Sequence, residues 1–247
     1  MARTRQEQGT ERTAMLLGER QIRALQKAHV MLFGLGGVGS YAAEALGRMG
    51  VGKMTIVDGD QFEISNLNRQ LGALNSTIGQ SKVSVTAKRL LDISPGLAVI
   101  PVNQFYLPDA PVAIADDVDF VVDAIDTVAA KIHIIETCKA RKIHMISCMG
   151  MGNRMDPTQI KIGDLFDTTY CALCRVMRKE LRKRGIDTLR CVYSTEEAAQ
   201  CDAGYPPENG RRSIPGSVAY VPSVAGLYMA YEAVNTICAC DNLDKEE

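Results

Sequence analysis

The feature that most constrains this chain is the turn Gly34-Leu35-Gly36-Gly37-Val38-Gly39, placed between a short apolar run at 30–33 and an apolar-periodic stretch from about 37 to 49. Four apolar residues that end on glycine are too few for a helix and read as a buried strand feeding one. Gly34, Gly36 and Gly39 satisfy the spacing G-x-G-x-x-G. In a strand–turn–helix setting this spacing allows a tight turn and lets backbone N–H groups approach an anion at a helix N-terminus. A second apolar run at 54–57 ends on Asp58, where a carboxylate can accept from ribose hydroxyls. Asp60 can do the same or remain solvated.

The alternation continues. Helical patterns at 19–28, 79–91 and 126–142 interleave with compact apolar runs at 98–102, 120–122 and 143–147. These runs read as parallel strands covered on both faces. The expected fold class is α/β, a doubly wound, mostly parallel sheet with a C-terminal extension. Beyond Gly150 the rhythm changes: strands at 159–162 and 189–193, a basic helix at 170–184, a Gly-, Pro- and charge-rich stretch at 198–213 expected to be mobile, and an amphipathic helix at 221–236. No repeat or linker divides the chain. Residues 1–247 therefore read as one domain, with a nucleotide-binding core at 1–150 and an extension at 151–247.

Bulk properties exclude several classes. The net charge of -1 gives no global attraction to nucleic acid, so any such partner must meet a local patch. No uninterrupted apolar stretch reaches about 18 residues, which argues against a membrane span. Residues 1–12 are polar, without a signal-peptide core, and eight cysteines in such a chain read as reduced thiols; both point to the cytoplasm.

The loop after Asp58 carries more chemistry than a dinucleotide site needs. It holds Asn66-Leu67-Asn68-Arg69-Gln70 and is followed by Lys82. Attack on a phosphorus centre builds charge on its oxygens, and fixed guanidinium and ammonium groups stabilise that charge. Asn68 and Gln70 add neutral donors. Asp126 stands where the strand 120–125 gives way to a helix. It reads either as a helix N-cap or as a hard carboxylate ligand for the magnesium that accompanies a triphosphate. Asp123 reads as a local structural acid.

With these residues in place, Gly34 to Gly39, Asp58, the Asn-Leu-Asn-Arg-Gln string, Lys82 and Asp123-Ala124-Ile125-Asp126 resemble the adenylating domain of ubiquitin-activating-type enzymes. Four further segments are similar to one branch, the tRNA threonylcarbamoyladenosine dehydratases: Arg12 to Gly18, Met155-Asp156-Pro157-Thr158, the helix Arg175 to Arg182, and Cys191 to Glu196 with Pro215 to Gly226. The resemblance implies ATP-dependent activation of the threonine carboxylate of a modified adenosine in tRNA. An acyl-adenylate and pyrophosphate form first, and the neighbouring carbamoyl group then closes on the activated carbonyl and expels AMP. By the same resemblance Gly37 contacts the nucleotide, Asp58 the ribose, Arg69 and Lys82 the phosphates, and Asp126 the metal side. Arg12 reaches the nucleotide of a partner subunit in a homodimer.

Two groups of residues carry alternatives. Arg175, Arg178, Lys179, Arg182, Lys183 and Arg184 can form a phosphate-binding stripe for RNA or a solvated helix face. Cys191 reads as a catalytic or sulfur-handling thiol served by a sulfur-transfer protein, or as a core thiol, since adenylation and ring closure need no protein nucleophile. Cys171 and Cys174 have the C-x-x-C spacing of a zinc pair, but Cys238 and Cys240 lack it, which argues against zinc. The competing functions are an activator of a ubiquitin-like sulfur carrier and an NAD-dependent oxidoreductase. Arg69 and Lys82 would have no role in the latter.

Overall fold

A computed structural model of the chain describes residues 8–200 and 215–243. Most of the stretch expected to be mobile, at 198–213, lies outside the described residues. Among the described residues, the short helices α1 (Glu11–Leu17) and α2 (Glu19–Lys27) precede β1 (His29–Phe33). Then follow α3 (Gly39–Arg48), β2 (Lys53–Val57), α4 (Lys82–Ile93), β3 (Ala98–Val102), β4 (Phe120–Asp123), α5 (Val128–Ala140) and β5 (His144–Cys148). The second half adds β6 (Ile160–Asp164), α6 (Ala172–Arg182), β7 (Arg190–Ser194) and the long α7 (Tyr220–Leu243).

The seven strands form one sheet in the order β3-β2-β1-β4-β5-β7-β6. All neighbouring pairs are parallel except β6–β7. Alternation along β1 divides the core between two faces. Val30 and Leu32 point into a cluster with Leu25, Leu46, Leu90 and Met229, from α2, α3, α4 and α7. Met31 and Phe33 point into a second cluster with Ala130, Ile134 and Cys138 of α5. Helices on both faces of a parallel sheet are the doubly wound arrangement. Burying each large apolar side chain in such a core contributes about 1.5–3 kcal/mol.

The structure corrects several sequence expectations. The run at 98–102 is an edge strand with no buried residue, and Pro101 is tolerated there because an edge needs fewer ladder donors. The helix expected from 79 begins at Lys82, because Gly79 has φ +80° and its N–H donates to Phe62 O at 2.8 Å. The final helix is longer than expected and not cleanly amphipathic. It buries Val221, Ala225, Met229 and Ala233 while exposing Tyr220, Leu227, Tyr228 and Tyr231. Among the described residues, no helix is long and apolar enough to cross a membrane.

The sheet matters for function through its carboxyl edge. In open α/β sheets, ligands bind outside the carboxyl ends of the strands, where the strand order reverses. Here the reversal lies between β1 and β4: the chain runs outward from β1 through β2 to β3, then returns to β4 on the other side.

Candidate functional site

The glycine turn sits at that reversal. Gly34 follows β1 with φ +88°, and a Cβ added there would lie 2.8 Å from Ala124 O, just beyond β4. A Cβ on Gly39 would fall 1.8 Å from Gly34 O. The chain therefore folds back on itself through backbone alone, and no side chain of the N-cap residue Val38 caps α3. The first N–H groups of a helix lack intrahelical partners, so this end can receive an anion.

Asp58 closes the turn from below. Its two carboxylate oxygens accept from Leu35 N at 2.6 Å and from Asp60 N at 2.8 Å. One acid thus links the glycine turn to the loop after β2. Burial pushes the Asp58 carboxyl up from its ordinary value of 3.8, against the opposing effects of the Lys82 charge and the two amide donors. Lys82, at the start of α4, is itself buried, and its Nζ lies 2.8 Å from Asp60 Oδ2. Asp60 is therefore the ion-pair partner of Lys82 in this structure.

The loop from Phe62 to Leu71 is built to hold Arg69 over the turn. Glu63 and Asn66 cap a short 3-10 helix, Ile64–Asn66, reciprocally. Ser40 Oγ donates to Gly36 O at 2.7 Å and accepts from Leu71 N at 3.3 Å, which fastens the loop to α3. Arg69 Nη1 donates to Ser65 O at 2.8 Å and to Asn68 Oδ1 at 2.9 Å, while Asn68 Nδ2 donates to Ser217 O at 2.9 Å. A Cβ on Gly37 would stand 3.3 Å from Arg69 Cγ and 3.2 Å from Pro222 Cβ of α7. Buried Gln70 has its Nε2 3.9 Å from a Cβ built on Gly36, and its Oε1 has no hydrogen-bond partner among the described residues. Gly36, Gly37, Arg69, Gln70 and the N-terminal turn of α7 thus converge.

Beyond β4 the chain passes directly over Gly34. Ala124 N donates to Phe33 O at 2.9 Å. Asp123 is fully buried and serves as a structural acid. It pairs with Lys131 Nζ at 2.9 Å and accepts from Ser147 Oγ at 2.6 Å. Asp126 is not a helix N-cap, because α5 begins at Val128 with Thr127 in that position. Its carboxylate is exposed and has no partner among the described residues.

Other expectations distribute differently. Arg12 is exposed on α1, a helix with no buried residue. On α6, Arg175, Lys179, Arg182 and Lys183 face solvent. Arg178 does not join that exposed stripe: its guanidinium is partly buried and donates to Thr168 O at 2.8 Å, to Leu165 O and to Thr168 Oγ1. Lys183 pairs with Glu180 at 2.7 Å, Arg184 pairs with Glu136 and Glu180, and Arg182 lies over the Phe166 ring.

Cys191 is fully buried in β7, and burial pushes its thiol well above the ordinary range, which corrects the reading of a catalytic thiol. Cys171 and Cys174 are buried at the start of α6, where Cys171 Sγ accepts from Cys174 N at 3.4 Å. Cys240 Sγ lies 3.5 Å from His144 Nε2.

Sequence reasoning missed Lys131, Ser217 and Pro222 as parts of the site. Lys131 left one trace, a lone charge between Ala130 and Ile132 in an otherwise apolar stretch. Ser217 and Pro222 lie in the segment 215–226 that carries the family resemblance, but nothing in it told that they meet the turn, which they do only through the return of α7.

The profile of the ThiF family matches residues 10–247. Similar curated relatives include the tRNA threonylcarbamoyladenosine dehydratase of Bacillus subtilis, 40% identical over 233 residues that cover 90% of this chain and 92% of the relative. The Escherichia coli protein of the same name is 38% identical over 196 residues, 74% of this chain and 72% of the relative. Among solved structures, E. coli tRNA N6-threonylcarbamoyladenosine dehydratase, TcdA, in complex with ATP superposes with a TM-score of 0.84 at 33% identity, covering 94% of this chain and 95% of that one. The chain belongs to the ThiF family, and within it to the group of the tRNA threonylcarbamoyladenosine dehydratases.

Proposed function

We propose that this protein is an ATP-dependent enzyme that cyclises threonylcarbamoyladenosine in tRNA with net loss of water. The observation that carries the reading is the approach of the Arg69 side chain to Gly37, where a built Cβ would stand 3.3 Å from Arg69 Cγ, beside the anion-receiving turn of an α/β sheet. The ATP complex of the E. coli relative supports the nucleotide, and the names of the relatives support the substrate.

The threonine carboxylate attacks the α-phosphorus of ATP and the bond to pyrophosphate breaks. Arg69 and Lys82 stabilise the charge that develops on the phosphate oxygens. Gly34, Gly36, Gly37 and Gly39 supply the close backbone approach, Asp58 accepts from the ribose, and Asn68 and Gln70 add neutral contacts. The carbamoyl group then closes on the activated carbonyl and AMP leaves. Asp126 offers a free hard oxygen, the donor type that magnesium takes beside phosphate oxygens, and the ion would neutralise charge on the triphosphate.

Residues 1–150 act as the nucleotide-binding core and 151–247 as the extension that meets the acceptor, with Arg175 and Lys179 as candidate contacts for RNA phosphates. The protein works as a homodimer in which Arg12 of the partner subunit reaches the nucleotide. The exposed Met15 and Leu16 on α1 and the exposed tyrosines on α7 support an interface between copies. Free thiols at the described cysteines suit the reducing cytoplasm.

The test measures pyrophosphate release from ATP in the presence of tRNA with and without the threonylcarbamoyl group. Release is expected only with the modified tRNA, and Arg69→Ala is expected to abolish it while leaving the melting temperature unchanged. Release that needs only a small ubiquitin-like carrier protein would replace this reading with the sulfur-carrier one.

A further inference from the structure

Lys131 is a charged residue with no solvent exposure on a helix whose other core-facing positions are apolar. An unpaired ammonium at such depth is strongly disfavoured, so its partners define why it is there. There are two. Nζ pairs with Asp123 Oδ2 at 2.9 Å and donates to Ile125 O at 3.0 Å. Asp123 is also fixed by Ser147 Oγ at 2.6 Å, and its other oxygen lies 3.4 Å from Ile125 N. Both polar groups of the Ile125 backbone therefore face one buried ion pair.

Ile125 is the residue before Asp126. The segment 124–126 is also the one that lies over the glycine turn: Ala124 O and Ile125 Cγ2 would sit 2.8 and 3.1 Å from a Cβ on Gly34. Among the described residues nothing else restrains Asp126, since its side chain is exposed and the helix starts only at Val128. The position of its carboxylate relative to the turn thus depends on how residues 124 and 125 are held.

We propose that Lys131 is a positioning residue for nucleotide activation: by neutralising Asp123 and holding the Ile125 carbonyl, it fixes the strap 124–126 so that Asp126 faces the metal side of the bound triphosphate. The proposal rests on the adenylating function given above. A merely structural Lys131 would change stability. A positioning Lys131 changes the magnesium-dependent part of ATP affinity and acts through Asp126.

Two variants separate these cases. Lys131→Met combined with Asp123→Asn removes both buried charges together, so neither is left unpaired, and removes the donor to Ile125 O. Lys131→Arg keeps the cation that Asp123 needs and moves the donor. ATP affinity is measured by calorimetry for each, with magnesium and with EDTA, alone and combined with Asp126→Ala. The expected result is about a tenfold weaker affinity with magnesium for the Met/Asn variant and a several-fold loss for Lys131→Arg. Affinity in EDTA is expected to be unchanged, with no further loss in the Asp126→Ala background. Equal losses with and without magnesium, or full additivity with Asp126→Ala, would overturn the proposal. If the Met/Asn variant fails to melt cooperatively, Lys131→Arg decides by the same criteria. Wild-type protein that binds no ATP would instead overturn the adenylating reading itself.

Discussion

Lys82 Nζ lies 2.8 Å from Asp60 Oδ2, with the lysine side chain 6% exposed and the aspartate side chain 51% exposed. The lysine proposed to meet a phosphate already has an anionic partner. A bound triphosphate would have to share or displace that partner, and the Asp60 charge would oppose it. Asp60→Asn is therefore expected to tighten ATP binding several-fold by calorimetry. The same change leaves a buried ammonium without its counter-charge and is expected to lower stability by about 1–3 kcal/mol. Weaker ATP binding in this variant would show that Asp60 itself contacts the nucleotide.

The turn glycines separate by what surrounds them. Gly39→Ala would force a methyl to 1.8 Å from a backbone carbonyl, which no side-chain rotation relieves. A loss of about 3 kcal/mol or more, or failure to fold, is expected in denaturant melts. Gly37→Ala meets only the Arg69 and Pro222 side chains at 3.2–3.3 Å, which can yield by a few tenths of an ångström. That variant is expected to fold and to bind ATP at least tenfold more weakly, because the methyl displaces Arg69 from the turn.

Asp58 gives a pH dependence with a definite sign. Burial raises its carboxyl above 3.8, so the folded state holds that proton to higher pH than the unfolded chain does. The stability it contributes is complete below 3.8 and is lost as the pH rises through the raised value. Stability curves of wild type and Asp58→Asn should therefore move in favour of the variant as the pH rises from below 3.8 toward neutrality. ATP affinity of the wild type should run the other way, falling as acid protonates the ribose acceptor. That loss begins at a pH above the ordinary aspartate range.

The basic helix α6 has two kinds of residue. Arg175 and Lys179 project into solvent, and replacing both with alanine is expected to leave the melting temperature unchanged. Their loss should flatten the dependence of tRNA affinity on log salt by about 1.5 to 2, the slope of two phosphate contacts. Arg178→Ala instead removes the donor to the Thr168 carbonyl and is expected to destabilise by about 1–3 kcal/mol without a comparable change in salt slope. Filter binding across salt concentrations and thermal melts distinguish the two.

The local signals were legible where one stretch of chain suffices. Strand β1, the glycine turn and Asp58 follow from apolar runs that end on residues whose chemistry suits a strand's carboxyl end. Residues whose role depends on a distant partner were read less well. Asp126 could be placed at the end of β4, but the start of α5 at Val128 was not visible, because Asp is favoured at an N-cap wherever it stands. Arg178 looked like its neighbours on a basic helix until the fold brought the Leu165 and Thr168 carbonyls beneath it. The apolar run 98–102 carried no sign that it would close the sheet at an edge.

By itself, the sequence determined the alternation of strand and helix, the anion-receiving turn, and the presence of Arg69 in a loop, Lys82 on the helix that follows it and Asp126 just beyond a strand end. These are short-range properties, set by glycine conformation and apolar periodicity. Only the tertiary structure decided that Asp60 is the partner of Lys82, that Cys191 is a core thiol, and that Lys131 reaches Asp123 beneath the strap over Gly34. The physical reason is burial. Whether a charge or a thiol is free, paired or silent depends on which residues, remote in sequence, exclude water from it, and periodicity along the chain does not record that.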